Sequence, residues 1–271
     1  MEELALVEDW ERSGVAGDVY ALKGSLRIFQ RRFEEAMELL DRSLDIFASM
    51  GDRRRQTEQL MKRAAAASYA GWSEMAISDL TLALGIVNEL KAEDLKIKVV
   101  VSLGMALVNS GQFERGAAAV AAVDRRSCEM VNPLLIHQVQ WVEAIAEHGL
   151  GNHASAEENY LAARAGFEGM GQTFYTAVVD LDLAILYTET SRTADVVRTS
   201  AASIRFFQSL ILGRETMLNL GLLKEALHNQ AVTDTVLRGL RSSLRSDPIA
   251  TLSKKAEPEP RSPGPKTIAG P

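Results

Sequence analysis

Histidine, cysteine and paired carboxylates are the side chains of this sequence with the means to do chemistry, and their spacing decides their use. The four histidines are His137, His148, His153 and His228. A zinc-binding helix presents two ligands at i and i+4 on one face. His148 and His153 are five apart and straddle the turn at Gly149–Gly151, so they do not make that face. No metal site is expected, and these histidines are read as facing solvent or lining a groove. Cys128 with His137 nine residues on has the residue types of a thiol nucleophile and its base. Cys128 is placed in a connecting loop with no orienting partner, which argues against that role. No G-x-x-x-x-G-K-[ST], G-x-G-x-x-G or G-x-S-x-G signature is present. Gly166, Gly169 and Gly171 follow a helix and read as its stop. The pairs Glu34-Glu35 and Glu157-Glu158 fall in first turns of helices, where negative charge complements the helix dipole. No catalytic residue and no cofactor is expected.

Composition narrows the remaining classes. The net charge of −6 and pI near 5.4 give no electrostatic case for general nucleic-acid binding. A local basic cluster, Arg53, Arg54 and Arg55 with Lys62 and Arg63, is diluted by Asp52 and Glu58 and reads as a solvated face. A single cysteine excludes an internal disulfide framework and fits a reducing compartment. The start, Met1-Glu2-Glu3-Leu4, is acidic where a secretory signal is basic. The longest apolar stretch, Ile97 to Val108, is interrupted by Lys98, Ser102 and Gly104 and falls short of the roughly 20 residues that span a bilayer. A cytoplasmic protein that does not enter membranes is expected. Ala and Leu are abundant and aromatics reach only 6%, a mix that favours helix.

The elements that position these residues repeat. Segments beginning at Arg31, Gly71, Gly111, Gly151 and Ser191 share a pattern, with a spacing of 40 each time. Five residues into each lie Ala36, Ala76, Gly116, Ala156 and Val196. Twelve residues before that column lie Gly24, Ala64, Gly104, Ala144 and Ala184, all small. Seven residues after it lie Ser43, Ala83, Val123, Ala163 and Ser203. Such columns predict two antiparallel helices per repeat, crossing where small side chains let the backbones approach. Gly71, Gly111 and Gly151 supply the left-handed turn that ends each first helix.

This column pattern resembles the tetratricopeptide repeat (TPR) family from about residue 17 to 246. The likeness is carried by Ser102-Leu103-Gly104-Met105-Ala106-Leu107 with Gly111-Gln112-Phe113, by Leu183-Ala184-Ile185-Leu186-Tyr187 and by Arg32-Phe33-Glu34-Glu35-Ala36. The 40-residue period exceeds the ~34 of the common repeat. It is similar to the longer-helix subclass of bacterial regulators, such as the maltose activator and peptide-sensing transcription factors. Phe47 and Phe167, each followed by a Gly turn, and Phe207 in the same column match that subclass. Repeat three departs from it, with Ser127 in the Phe column and Gly116 in the Ala column. Repeat four places Glu143 and Glu147 at expected apolar positions, and Pro133 marks its start. The whole also resembles the C-terminal part of longer bacterial TPR proteins, in which further repeats precede this point.

The resemblance implies an all-α fold, a right-handed α-solenoid of about six antiparallel helix pairs. The pairs are expected at 17–30 with 33–49, 54–70 with 73–90, 94–109 with 113–126, 134–149 with 153–169, and 173–190 with 193–209. A sixth, 213–229 with 233–245, carries Lys224 in the small column and reads as a degenerate cap. Residues 1–16 hold a short helix, 2–12, a possible remnant of a preceding repeat. Residues 17–246 form the repeat domain. The Pro-rich segment 247–271 reads as a disordered tail.

In the TPR register the first helices line a concave groove. One column holds Ala21, Met61, Val101 and Trp141; the next holds Ser25, Ala65, Met105, Ile145 and Ile185. A third holds Ile28, Ser68, Val108, His148 and Thr188, with Phe29, Tyr69 and Asn109 beside it. The groove is thus largely apolar, and Met61, Tyr69, Val101, Met105, Asn109, Trp141, Ile145 and His148 are the candidate partner-binding residues. The Lys, Arg and Asn clamp with which TPR co-chaperones grip an acidic peptide terminus is missing from these columns. A protein or peptide partner, either an apolar segment or an amphipathic helix, fits this lining better. The expected function is a non-catalytic interaction scaffold. The alternative is a peptide-sensing regulatory module controlling an effector or a transcription partner.

Overall fold

A computed structural model describes residues 10, 13–208 and 211–248. The expected helix at 2–12, Trp10 apart, and the tail beyond Pro248 lie outside the described residues. Thirteen helices and no strand occur among those described. They are α1 (Gly14–Phe29), α2 (Phe33–Ser49), α3 (Arg53–Ala70), α4 (Ser73–Leu90), α5 (Glu93–Asn109), α6 (Phe113–Ala121), α7 (Arg125–Val131), α8 (Leu134–Gly149), α9 (His153–Gly169), α10 (Thr173–Glu189), α11 (Thr193–Phe207), α12 (Arg214–His228) and α13 (Asp234–Arg245). Through α11 each helix packs against its chain neighbours, the arrangement of stacked hairpins, except that α6 and α7 both pack on α8 rather than on each other. None is long and apolar enough to cross a membrane.

The columns are where the hairpins touch. Gly24, Ala64, Gly104, Ala144 and Ala184 are all buried. At Gly104 an added Cβ would come within 2.7 Å of Val120 Cγ1, and at Gly17 within 2.7 Å of the Phe47 ring. The side chain is absent because another one already fills the space. Ser43 and Ser203, in one column four repeats apart, donate to the carbonyls of Gly17 at 2.7 Å and Ala177 at 2.9 Å across the hairpin. Each of these hydroxyls is fully buried, so the bond satisfies a group that would otherwise be costly to enclose.

The turn repeats as faithfully as the core. Arg31, Gly71, Gly111, Gly151 and Ser191 all have positive φ, between 58° and 83°. The next residue donates its N–H to the carbonyl five back: Trp72 to Ala67 at 2.8 Å, Gln112 to Leu107 at 2.9 Å, Arg192 to Tyr187 at 2.8 Å. That is the Schellman closure of a helix, and glycine fits it without strain. Arg31 and Ser191 adopt it against their own preference.

Repeat three is where the pattern breaks. Its second helix stops at Ala121 instead of running to residue 126, and α7 follows, capped by Asp124, which accepts from the N–H groups of Arg126 and Ser127. Cys128, expected in a loop, therefore sits within a helix and is fully buried in the main core. It lies one place after Ser127, which occupies the column that holds Phe47, Phe167 and Phe207 in repeats one, four and five. Repeat four keeps its register, and Glu143 faces out to pair with Arg125 at 3.0 Å.

The arginines of the basic cluster pair with neighbouring helices. Arg53 pairs with Glu89 at 2.7 Å, Arg54 with Asp94 at 2.5 Å and Arg55 with Asp18 at 3.3 Å. Arg63 binds Asp79 at 2.5 Å, and also Asp41. Most of these are rim pairs worth little each; together they tie α3 to the helices before and after it.

The last pair departs from the regular stack. α12 packs beside α11, whereas α13 folds back onto α10, the first helix of repeat five. Leu237, Leu240 and Leu244 of α13 are buried, while the adjoining edge carries Arg238, Arg241 and Arg245. Those arginines are three and four residues apart and share one face.

Candidate binding hollow

The C-terminal ends of α5, α8 and α10 stand side by side, because equivalent residues recur 40 apart. Asn109, Gly149 and Glu189 occupy one such column and Ile145 and Ile185 another. With Val108 and His148 they line a hollow of about 540 Å³. The Phe113 ring leans against Gly149, where any side chain would collide with it. The far wall is α13, which contributes Arg238, Arg241, Ser242 and Arg245.

Charge holds that wall in place. Arg241 Nε lies 2.5 Å from Asp182 Oδ1, and both residues are over 90% buried. Asp182 Oδ2 accepts the indole N–H of Trp141 at 2.8 Å, and the Arg241 guanidinium lies 5.5 Å from the centre of the Trp141 ring. Arg238 binds Glu189 and, at 2.7 Å, Asp234. Arg245 donates to the carbonyl of Asn109, the last residue of α5, at 3.3 Å. Beyond the hollow, Arg31 in the first turn of the array donates to the carbonyl of Ser246 at 2.9 Å. Helix C-termini carry partial negative charge, so arginines meeting them are well placed.

His148 is held by two partners. Its Nε2 is 2.8 Å from Glu189 Oε2 and its Nδ1 is 3.3 Å from the Tyr160 hydroxyl. A carboxylate only accepts, so Nε2 carries a proton and donates it to Glu189. Burial drives the Tyr160 pKa well above its usual value, keeping that phenol a donor. Among the described residues there is no cluster of three or more His, Cys, Asp or Glu side chains able to hold a metal ion.

Of the eight candidate groove residues, Asn109, Ile145 and His148 are brought together in the hollow. Trp141 keeps only 7% of its surface and lies beneath the Asp182–Arg241 pair, edge-on to Phe167 and Tyr175 at 6.1 and 5.9 Å. Val101 is buried and Met105 half-buried against the same core. Met61 and Tyr69, on α3, pack against other core clusters nearer the start of the array. Sequence reasoning missed Asp182, Glu189, Arg238, Arg241 and Arg245. The available signal was two carboxylates on the otherwise apolar face of α10 and the arginine spacing of α13.

No family profile matches the chain, and no curated protein sequence matches it. Solved structures do. A Rap protein complexed with competence and sporulation factor superposes with a TM-score of 0.66 at 14% identity, over 88% of this chain and 66% of that one. Aspartyl phosphate phosphatase F from Bacillus subtilis gives 0.66 at 14% identity, over 90% of this chain and 65% of that one. BtubC (BKLC) from P. vanneervenii gives 0.57 at 17% identity, over 88% and 99%. The chain spans just under two thirds of the length of the first two. Identities this low speak to fold alone. The protein has a TPR-like, all-helical repeat fold.

Proposed function

We propose that this chain is a protein-interaction module that holds a peptide, or a segment of a partner protein, in its concave hollow without catalysing a reaction. The observation that carries the reading is the convergence of Asn109, Ile145 and His148, three of the residues expected to bind a partner, around one hollow of about 540 Å³ with Val108 and Ile185. One side of it is apolar, with Val108, Phe113, Ile145 and Ile185, and the rest is polar and charged, so an occupant can be both packed and oriented. Several of the polar groups are committed to structural pairs, His148 to Glu189 and Tyr160, Arg241 to Asp182, which is scaffold chemistry rather than acid–base chemistry. The likeness to a Rap protein complexed with competence and sporulation factor supports a binding role.

A second reading is regulatory. α13 forms one wall through ionic contacts, so an occupant that competes for those contacts shifts α13 and the curvature it braces. The Arg31–Ser246 bond favours this reading, because it couples α13 to the opposite end of the array.

The test is selection of short peptides from a random library against the intact chain. Binders are expected to lose affinity in the double variant Asn109→Ala with His148→Ala, at unchanged helical circular dichroism. Binders indifferent to both changes overturn the proposal.

A further inference from the structure

The hollow carries one more cation than it has carboxylates to match. Its lining holds Arg238, Arg241 and Arg245 against Asp182 and Glu189. Arg241 is matched by Asp182, and Arg238 by Glu189 and Asp234. Arg245 has one neutral acceptor, the Asn109 carbonyl at 3.3 Å. A guanidinium has five N–H donors, so most of those on Arg245 stay available to whatever enters. Its side chain remains exposed to the water of the hollow. A positive charge so placed gains from an incoming anion, and a planar carboxylate matches the guanidinium fork. Opposite stand Val108, Ile145 and Ile185.

We propose that the hollow takes a ligand with a carboxylate at one end and a branched apolar group at the other, the carboxylate on Arg245 and the apolar group against Val108, Ile145 and Ile185. This rests on the reading of the hollow as the binding site, and it names the chemistry of the occupant. The cation comes from α13, not from the inner helices, so an acid-gripping site exists although the groove columns hold no clamp. A carboxylate of this kind belongs either to a free branched short-chain acid or to the C-terminus of a peptide ending in an aliphatic residue.

The test titrates the full chain with 4-methylpentanoate, with its neutral isostere 4-methylpentanamide, and with N-acetyl-Leu-Leu as acid and as amide. The Trp141 indole N–H resonance, one bond removed from the hollow through Asp182, reports occupancy. Each acid is expected to bind at least tenfold more tightly than its amide. The difference is expected to vanish in Arg245→Gln and to return in part in Arg245→Lys. The acid–amide comparison on the unaltered chain stands even where a variant folds poorly. The dipeptide acid binding more tightly assigns the carboxylate to a peptide terminus; the simple acid binding as tightly assigns it to a free acid. Equal binding of acid and amide overturns the carboxylate inference and leaves the hollow a binding site. Saturable binding by none of the four also overturns it; the library-selected peptides then decide separately whether the hollow binds at all.

Discussion

The indole N–H of Trp141 and the carboxylate of Asp182 meet at 2.8 Å, and the same carboxylate binds Arg241, 59 residues further along the chain. The bond turns an inward-facing aromatic of repeat four into the floor on which the last helix rests. Asp182→Ala leaves Arg241, only 7% exposed, without a counter-charge. Breaking a buried pair from one side costs about 3–5 kcal/mol. Asp182→Leu combined with Arg241→Met removes both charges and is expected to recover most of the loss. Urea unfolding of the single and double variants measures this, and a double variant as unstable as Asp182→Ala contradicts it.

The left-handed turn makes a cleaner backbone test than any core position. At Gly71, with φ of 83°, an added Cβ meets nothing within 4 Å. Gly71→Ala therefore loses stability through conformation alone, by about 1 kcal/mol. The reverse change at the equivalent place, Ser191→Gly, is expected to raise the melting temperature, because Ser191 holds φ of 58° there. An unchanged melting temperature in both variants speaks against strain at this column.

Alkaline pH should weaken the array. The Tyr187 ring is buried and its hydroxyl donates to Glu157 at 2.9 Å, and burial followed by that acidic neighbour raises its pKa to about 12. The folded chain thus keeps a proton that the unfolded chain, titrating near 10, has lost. Stability supplied by the neutral phenol is complete below pH ~10 and is lost as pH rises through about 12. Denaturant midpoints followed across that window should fall, and should fall less in Tyr187→Phe.

Cys128 offers a probe of repeat three. Burial raises its pKa and keeps reagents away, so reaction with a thiol-specific disulfide should be far slower in the native chain than in denaturant. Asp124→Ala removes the cap of α7 and costs about 1 kcal/mol. It should speed that reaction several-fold without unfolding the other repeats. A native rate equal to the unfolded one means α7 does not cover the thiol.

The repeating part of this fold was legible because its cause is local and periodic. Small residues such as Gly24 and Ala184 mark helix crossings, and Gly71 or Gly151 mark turns, each visible within one period. The two irregularities arise otherwise. Ser127 in the Phe column announced that repeat three departs from pattern, but not that Asp124 would cap a new helix and bury Cys128. The return of α13 onto α10 depends on Asp182 finding Arg241 across two intervening helices, a pairing with no period to betray it. So the hollow was half readable: Asn109, Ile145 and His148 belong to repeating columns, whereas its charged wall lies in the one pair that has left them.

Open-ended stacks of hairpins fray from their tips, each unit released with little consequence for the next but one. The hydrogen bond from Arg31 to Ser246 spans 215 positions and joins the first described hairpin to the end of the last. Loss of the outermost unit then also releases a contact at the far end, so the protein should come apart in fewer and sharper steps than a simple ladder of equal length.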